Sequence, residues 1–182
     1  MPHPTPEAVL DFWFEEIAPA LWWQADPDFD ALIRTRFDAL HRAAAAAELW
    51  AWRARPAGRL AEVIVLDQFS RNLHRGTALA FACDPMALAL AQEAVVAGQD
   101  LKLPLAHRHF LYMPYMHSES PRIHLEAERL FSAPGLEDAL RSERAHKAII
   151  DRFGRYPHRN MALGRDATAE ERAFLREPGS SF

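Results

Sequence analysis

Cysteine, lysine and long uncharged stretches are all scarce in this chain of 182 residues. The single Cys83 excludes a disulfide framework, and a chain of this length buries roughly 70% of the surface that its unfolded form exposes, so it needs neither disulfides nor metal to fold. The longest run without Asp, Glu, Lys or Arg covers residues 109–118, which is about half of what a membrane-spanning helix requires. The first residues also lack the pattern of a secretory signal. We therefore expect a cytoplasmic protein without a membrane partner.

An excess of positive charge is missing as well. The 21 basic residues, of which only Lys102 and Lys147 are lysine, face 25 acidic residues, so the formal charge is −4 and the isoelectric point is near 6.1. This balance argues against nucleic acid as a partner. The charge is unevenly placed, because residues 1–40 carry two arginines against eight acids, whereas residues 141–165 carry seven basic residues against two acids. The C-terminal part is therefore expected to attract anions.

Motifs that hold cofactors are absent from the sequence. There is no phosphate-binding loop, no glycine-rich dinucleotide turn and no nucleophile elbow. Four histidines, His107, His109, His117 and His124, lie close together in the chain, but no pair of them has the i, i+4 spacing with a third ligand that helical zinc sites use. We therefore predict neither a cofactor nor a bound metal.

Helix starts are easy to locate in this sequence. A capping residue followed by proline occurs at Thr5, Asp26, Asp84 and Ser120, and Thr168 with Glu171 forms a capping box. Between these starts the apolar residues recur with a helical period, and no segment is a convincing strand. The predicted helices lie near 6–16, 27–52, 58–73, 77–97, 104–116, 121–132, 136–154 and 168–176, with a break expected at Asp84 and a kink or end at Pro114.

The short connections between these helices predict antiparallel neighbours, that is, stacked helical hairpins in an all-α fold. We predict one domain over residues 1–177 and a loose tail over residues 178–182. The tryptophans of the first 25 residues, Trp13, Trp22 and Trp23, are expected to fill the core.

The helix near 58–73 carries the most informative polar residues. Its apolar side chains surround it on nearly every side, which is typical of a buried helix. Its last two turns nevertheless hold Asp67, Gln68, Arg71 and Asn72, which form two i, i+4 pairs on one face. Burying these groups without partners costs roughly 1–3 kcal/mol each. They form either an internal network around an Asp67–Arg71 ion pair or a polar pocket.

Two further segments are predicted to meet this helix. His117 and Glu119 flank Ser118 after an aromatic helix and offer an imidazole and a carboxylate, although the same residues suit a loop that caps the next helix. The third segment contributes four polar side chains, which are Arg155, His158, Arg159 and Asn160. Its arginines suit carboxylate or phosphate recognition, with a solvated basic loop as the alternative.

These segments resemble a known family. The residues that carry the resemblance are Val9–Phe14, Leu66–Asn72, Arg75–Thr77, Phe81, Asp84, Tyr112–Pro114, His117–Glu119, Phe153–Asn160, Leu163–Arg165, Thr168, Glu171 and Leu175. Over nearly its whole length the chain is similar to the bacterial and fungal family called domain of unknown function 924. The resemblance implies an all-helical fold like the right-handed superhelices of tetratricopeptide repeats, with no activity established. Family members continue the His-Ser-Glu segment with an acidic residue, whereas this chain has Ser120 and Pro121.

The site predicted from the three segments consists of Asp67, Gln68, Arg71, Asn72, His117, Glu119, Arg155, His158, Arg159 and Asn160. Our main hypothesis is a binding module. In it the arginines bind a small anionic ligand or a peptide carboxylate, the Asn and Gln side chains orient the ligand, and Asp67 positions Arg71. One alternative is a hydrolase or transferase that uses His117 or His158 as general acid or base, oriented by Glu119 or Asp67. The other is a purely structural polar network in a protein-interaction scaffold.

Overall fold

The described part of the chain, residues 3–181 of a computed structural model, is built from helices and contains no strand. Its α-helices are α1 (Pro6–Asp11), α2 (Pro27–Ala45), α3 (Pro56–Ile64), α4 (Ser70–Leu73), α5 (Asp84–Val96), α6 (Leu105–Met116), α7 (Pro121–Phe131), α8 (Glu137–Phe153) and α9 (Ala169–Phe174). Two π-helical turns, Phe12–Glu16 and Val65–Phe69, extend α1 and join α3 to α4. Short 3-10 turns cover Pro19–Trp22, Trp50–Ala54, Ala78–Phe81, Asp100–Lys102 and Pro157–Arg159.

Most helix starts follow the capping residues. The Thr5 hydroxyl accepts from the Ala8 amide at the start of α1, and the Asp26 carboxylate accepts two amides of α2. The capping box of Thr168 and Glu171 is present, so these predictions are confirmed. Ser120 lies at the N-cap of α7 without a side-chain hydrogen bond. The prediction was wrong for Asp84, which is the first residue of α5 rather than its cap, because its carboxylate binds arginine side chains instead.

The helices predicted near 58–73 and 104–116 agree with the structure within two residues, whereas the helix predicted near 27–52 is shorter. Residues 56–73 form one continuous rod in which a π-helical turn lies between α3 and α4. The helix predicted near 27–52 ends at Ala45, because Ala47 has a positive φ of 59° and breaks it before the next 3-10 turn. Pro114 does not end α6, which continues to Met116 although the proline lacks the amide that would bond four residues back.

The core surrounds the rod of α3, its π-helical turn and α4. Leu60, Ile64, Leu66 and Phe69 on the rod are fully buried. The rod packs against α1, α2, α5 and α6, and α7 packs between α6 and α8. Of the tryptophans expected in the core, Trp13 is buried, whereas Trp22 is half-buried and Trp23 is 57% exposed.

One stretch, Ala78–Val96, is long and apolar enough to cross a membrane by length and composition. It is divided between the 3-10 turn Ala78–Phe81 and α5. Asp84, the first residue of α5, binds Arg71. Four residues of α5, Ala87, Leu90, Ala91 and Ala94, are buried in the fold, and one such stretch is weak evidence for a membrane span.

Candidate functional site

The polar end of the central rod joins two distant segments. Asp67 and Gln68 lie in the π-helical turn, a local widening that is frequent at functional sites. The Asp67 side chain is 1% exposed, and it accepts from His117 Nδ1 at 2.7 Å and from Gln68 Nε2 at 2.5 Å. Arg71 lies one turn further on, with Nη1 2.7 Å from the Asp67 carbonyl and 3.2 Å from its carboxylate. The predicted Asp67–Arg71 contact is therefore present.

Asp84 connects this cluster to the C-terminal segment. Its carboxylate accepts two hydrogen bonds from Arg71, at 3.0 and 3.1 Å, and one from Arg159 Nη1 at 3.3 Å. Such forked contacts fix the plane of the Arg71 guanidinium. Sequence reasoning left Asp84 out of the site because a role as helix cap explained it.

Arg159 carries a buried positive charge that its hydrogen-bond partners satisfy only in part. It is 5% exposed, and its guanidinium lies 4.6 Å from the ring centres of both Phe81 and Tyr156. Among residues 3–181 its single hydrogen bond is the one to Asp84, and its Nε has no acceptor. Burial, together with the nearby charge of Arg71, lowers the pKa of Arg159. An additional anionic partner would stabilise the charged form of Arg159.

A cavity of about 860 Å³ opens beside these residues. Six residues of the predicted site line it, and they are Gln68, Arg71, Asn72, His117, His158 and Arg159. Other lining residues are Leu21, Trp22, Trp23, Arg75, Phe81, His109, Met113, Met116, Asp138 and His146. Two of these carried a signal in the sequence. Arg75 follows Arg71 by four positions, and His146 interrupts the apolar stripe of α8.

Asp67, whose contacts are described above, and three further residues of the predicted site do not line the cavity. Glu119 accepts from both terminal nitrogens of Arg165, at 2.6 and 2.9 Å, and from the Tyr156 amide. Arg155 binds Glu171 at 2.6 Å, and Asn160 accepts from Arg165. None of the three lines the cavity. Partners further along the chain hold them instead in a network that ties the last loops together.

A second network of buried hydrogen bonds contacts the same loops. His124 and Glu143 are fully buried, and Glu143 Oε1 lies 2.6 Å from His124 Nδ1. The other ring nitrogen of His124 donates to the Ser118 carbonyl at 2.8 Å, and the Tyr156 hydroxyl donates to the Met116 carbonyl at 2.6 Å. Burial raises the pKa of Glu143. This network fixes the segment from which His117 projects.

The C-terminal residues reach the cavity. Ser180 is 6% exposed and donates to the Leu175 carbonyl at 3.3 Å, and Ser181 lines the cavity. Of the predicted loose tail, Pro178, Gly179 and Ser181 are exposed and Ser180 is buried. Phe182, the last residue of that prediction, lies outside the described residues.

The titratable groups around the cavity have perturbed pKa values. Burial opposes ionisation of Asp67, but the charge of Arg71 and the hydrogen bonds from His117 and Gln68 lower its pKa far below the usual range. Burial lowers the pKa of His117, an effect increased by Arg71. Burial also lowers the pKa of His109 and His158 to about 4 and that of His146 to about 3. The cavity thus presents neutral imidazoles at pH 7. In the described part of the chain, no three His, Cys, Asp or Glu side chains are placed to hold a metal ion.

Comparisons with known proteins agree with this all-helical structure. Residues 9–179 match the family described as "Bacterial protein of unknown function (DUF924)". The fold is similar to the solved structure of a protein of unknown function, ATU0120 from Agrobacterium tumefaciens, with a TM-score of 0.89 and 38% sequence identity over 94% of this chain and 96% of that chain. No curated protein matches the sequence. The chain belongs to the DUF924 family of bacterial proteins of unknown function.

Proposed function

We propose that this protein binds a small ligand through an anionic group that contacts Arg159 in the central cavity. The observation that carries the proposal is the buried Arg159 guanidinium, which lines the cavity and uses one hydrogen bond within the described chain. Arg71 provides a second cation beside it. The cavity, at about 860 Å³, falls within the range of about 300–1,000 Å³ that is typical of small-molecule sites.

The finer architecture belongs to the same proposal. Helices α6, α7 and α8 follow one another through short connections, and α7 contacts both neighbours. This arrangement supports stacked antiparallel hairpins similar to those of tetratricopeptide repeats, a fold that presents concave binding surfaces.

Replacing Arg159 with methionine tests the proposal. We expect organic acids that raise the melting temperature of the native protein to bind Arg159→Met roughly 10- to 100-fold more weakly, since a hydrogen bond to a charged group is worth about 1.5–3 kcal/mol. The measurement is a thermal-shift screen of carboxylates and phosphates, followed by calorimetry of each stabilising compound. Asp84 keeps Arg71 as a partner in this variant, so the fold is expected to persist.

Arg155→Met is the matched control. Arg155 belongs to the same loop but binds Glu171 and lies away from the cavity, so its removal is expected to leave ligand affinity unchanged. Equal affinity of every stabilising acid for Arg159→Met and the native protein would contradict the proposal, as would a screen in which no acid stabilises the native protein.

A second candidate function, a hydrolase or transferase, is favoured by the Asp67–His117 pair. The Asp67 carboxylate can only accept, so His117 Nδ1 carries the proton and Nε2 holds the lone pair. Within the described residues Nε2 has no hydrogen-bond partner, and His117 lines the cavity. A neutral imidazole held this way is suited to remove a proton from a bound hydroxyl or water.

His117→Gln separates the two candidates. If the protein is an enzyme of this type, the variant is expected to lose about 100-fold or more in turnover while keeping affinity for the ligand. The measurement is activity on panels of carboxylic esters, amides and phosphate esters, with binding followed in parallel. If the native protein turns over none of the compounds that it binds, the enzymatic candidate is wrong and the binding function remains.

A further inference from the structure

Carboxylates determine which atoms of three side chains around the cavity donate hydrogen bonds and which are left to accept them. A carboxylate accepts hydrogen bonds only, so the amide nitrogen of Gln68 must face Asp67 and that of Asn72 must face Asp30. Gln68 Oε1, Asn72 Oδ1 and His117 Nε2 are then left without a donor among residues 3–181, on side chains that line the cavity. Beside the arginines, the cavity therefore offers three acceptors, which call for N–H or O–H donors on the ligand.

The charges around the cavity are already balanced. Arg71 and Arg159 face Asp67 and Asp84. At the rim, Arg75 pairs with Asp30, and Asp138 pairs with Arg141. With the imidazoles neutral, a bound carboxylate alone would add one uncompensated negative charge to these paired groups, and a phosphate dianion would add two. A ligand that carries a cation beside its carboxylate keeps the balance.

Part of the remaining cavity wall is apolar and aromatic. Trp22 and Trp23 lie on one side, with Trp22 5.0 Å and Trp23 6.1 Å from the ring of Phe110. Met113 and Met116 project from α6 into the same space. Tryptophan faces and flexible thioethers pack well against a planar ring. The ligand's body is therefore expected to be large, apolar and aromatic.

From this arrangement we infer that the cavity takes a zwitterion with an aromatic body, of the class of aromatic α-amino acids. The ligand's carboxylate accepts from Arg159, and its ammonium group donates to acceptors among Gln68, Asn72 and His117. This inference rests on the proposed function, because it adds a cation and an aromatic body to the anionic group that Arg159 binds.

Calorimetry with three matched compounds tests the inference on the native protein. L-Tryptophan carries both charged groups, 3-indolepropionate lacks the ammonium group, and tryptamine lacks the carboxylate. We expect L-tryptophan to bind at least about 10-fold more tightly than either, since each missing group removes a charged hydrogen bond worth about 1.5–3 kcal/mol. Gln68→Leu is expected to narrow the gap between L-tryptophan and 3-indolepropionate, whereas Gln24→Leu, at an exposed glutamine on the rim, is expected to preserve it.

The outcomes separate this inference from the proposed function. If 3-indolepropionate binds as tightly as L-tryptophan and loses affinity in Arg159→Met, the inference is overturned and the proposed function stands. If none of the three compounds binds, the inference is also overturned, and the wider acid screen on Arg159→Met decides the proposed function. If Gln68→Leu and Asn72→Ala each keep the full difference in affinity between L-tryptophan and 3-indolepropionate, the ammonium contacts assigned to these two side chains are wrong.

Discussion

Asp67→Asn is expected to destabilise the protein by about 3 kcal/mol or more, as is typical when one partner of a buried ion pair is removed. The side chain is 1% exposed, and its carboxylate is shared by Arg71, His117 and Gln68. Asparagine keeps the shape but removes the negative charge, so Arg71 and Arg159 are left with Asp84 alone. It also offers a single acceptor oxygen to side chains that now use two. Chemical denaturation at pH 7 measures the loss.

Asp38→Asn is the matched control for this substitution. Asp38 also pairs with an arginine four residues later, Arg42, at 2.8 Å, but that arginine side chain is 72% exposed. An exposed pair at this spacing is worth about 0.3–0.5 kcal/mol. A comparable loss in the two variants would show that the Asp67 cluster is no more important to stability than a surface pair. A loss below about 1 kcal/mol for Asp67→Asn would contradict its description as a buried charge network.

Features set by short-range contacts were predictable from the sequence. Thr5, Asp26 and Thr168 cap helices through amides two or three residues away, so composition and spacing located them. The Asp67–Arg71 contact is likewise an i, i+4 pair. These predictions succeeded because a helix fixes such distances whatever the rest of the fold does.

Features set by long-range partners were not predictable in this way. Asp84 meets Arg71 across 13 positions and Arg159 across 75. Arg155 looked equivalent to Arg159 in the sequence, yet Glu171 holds it away from the cavity. Spacing gives no information on which of two nearby arginines finds a distant carboxylate, and the packing of whole helices decides it. The neutral histidines of the cavity wall follow from that packing too.

The second large effect is expected on acidification: stability should fall by about 4–6 kcal/mol between pH 7 and pH 5. Burial lowers the pKa of His109 and His158 to about 4 and that of His146 to about 3 in the folded protein, whereas an exposed histidine titrates near 6.5. Below about pH 6.5 these histidines therefore bind protons in the unfolded chain but remain neutral in the folded chain. Stability rises with pH wherever the unfolded state binds more protons, so it falls as the pH drops from 6.5 toward 4, by up to about 2 kcal/mol per histidine between pH 7 and pH 5.

Denaturation at pH 7 and pH 5 in single variants assigns this loss to particular side chains. His146→Gln and His158→Gln are each expected to reduce the difference between the two pH values by about 2 kcal/mol, because glutamine does not titrate. Ser142→Ala is the control, since Ser142 lines the same cavity without a titratable group, and it is expected to keep the native difference. Equal stability of the native protein at the two pH values would mean that these imidazoles take up protons in place, in a cavity well exposed to water. The zwitterion inference, which depends on neutral histidines in the cavity wall, would then be contradicted as well. Protonated histidines would favour a ligand that carries an anionic group without an ammonium group.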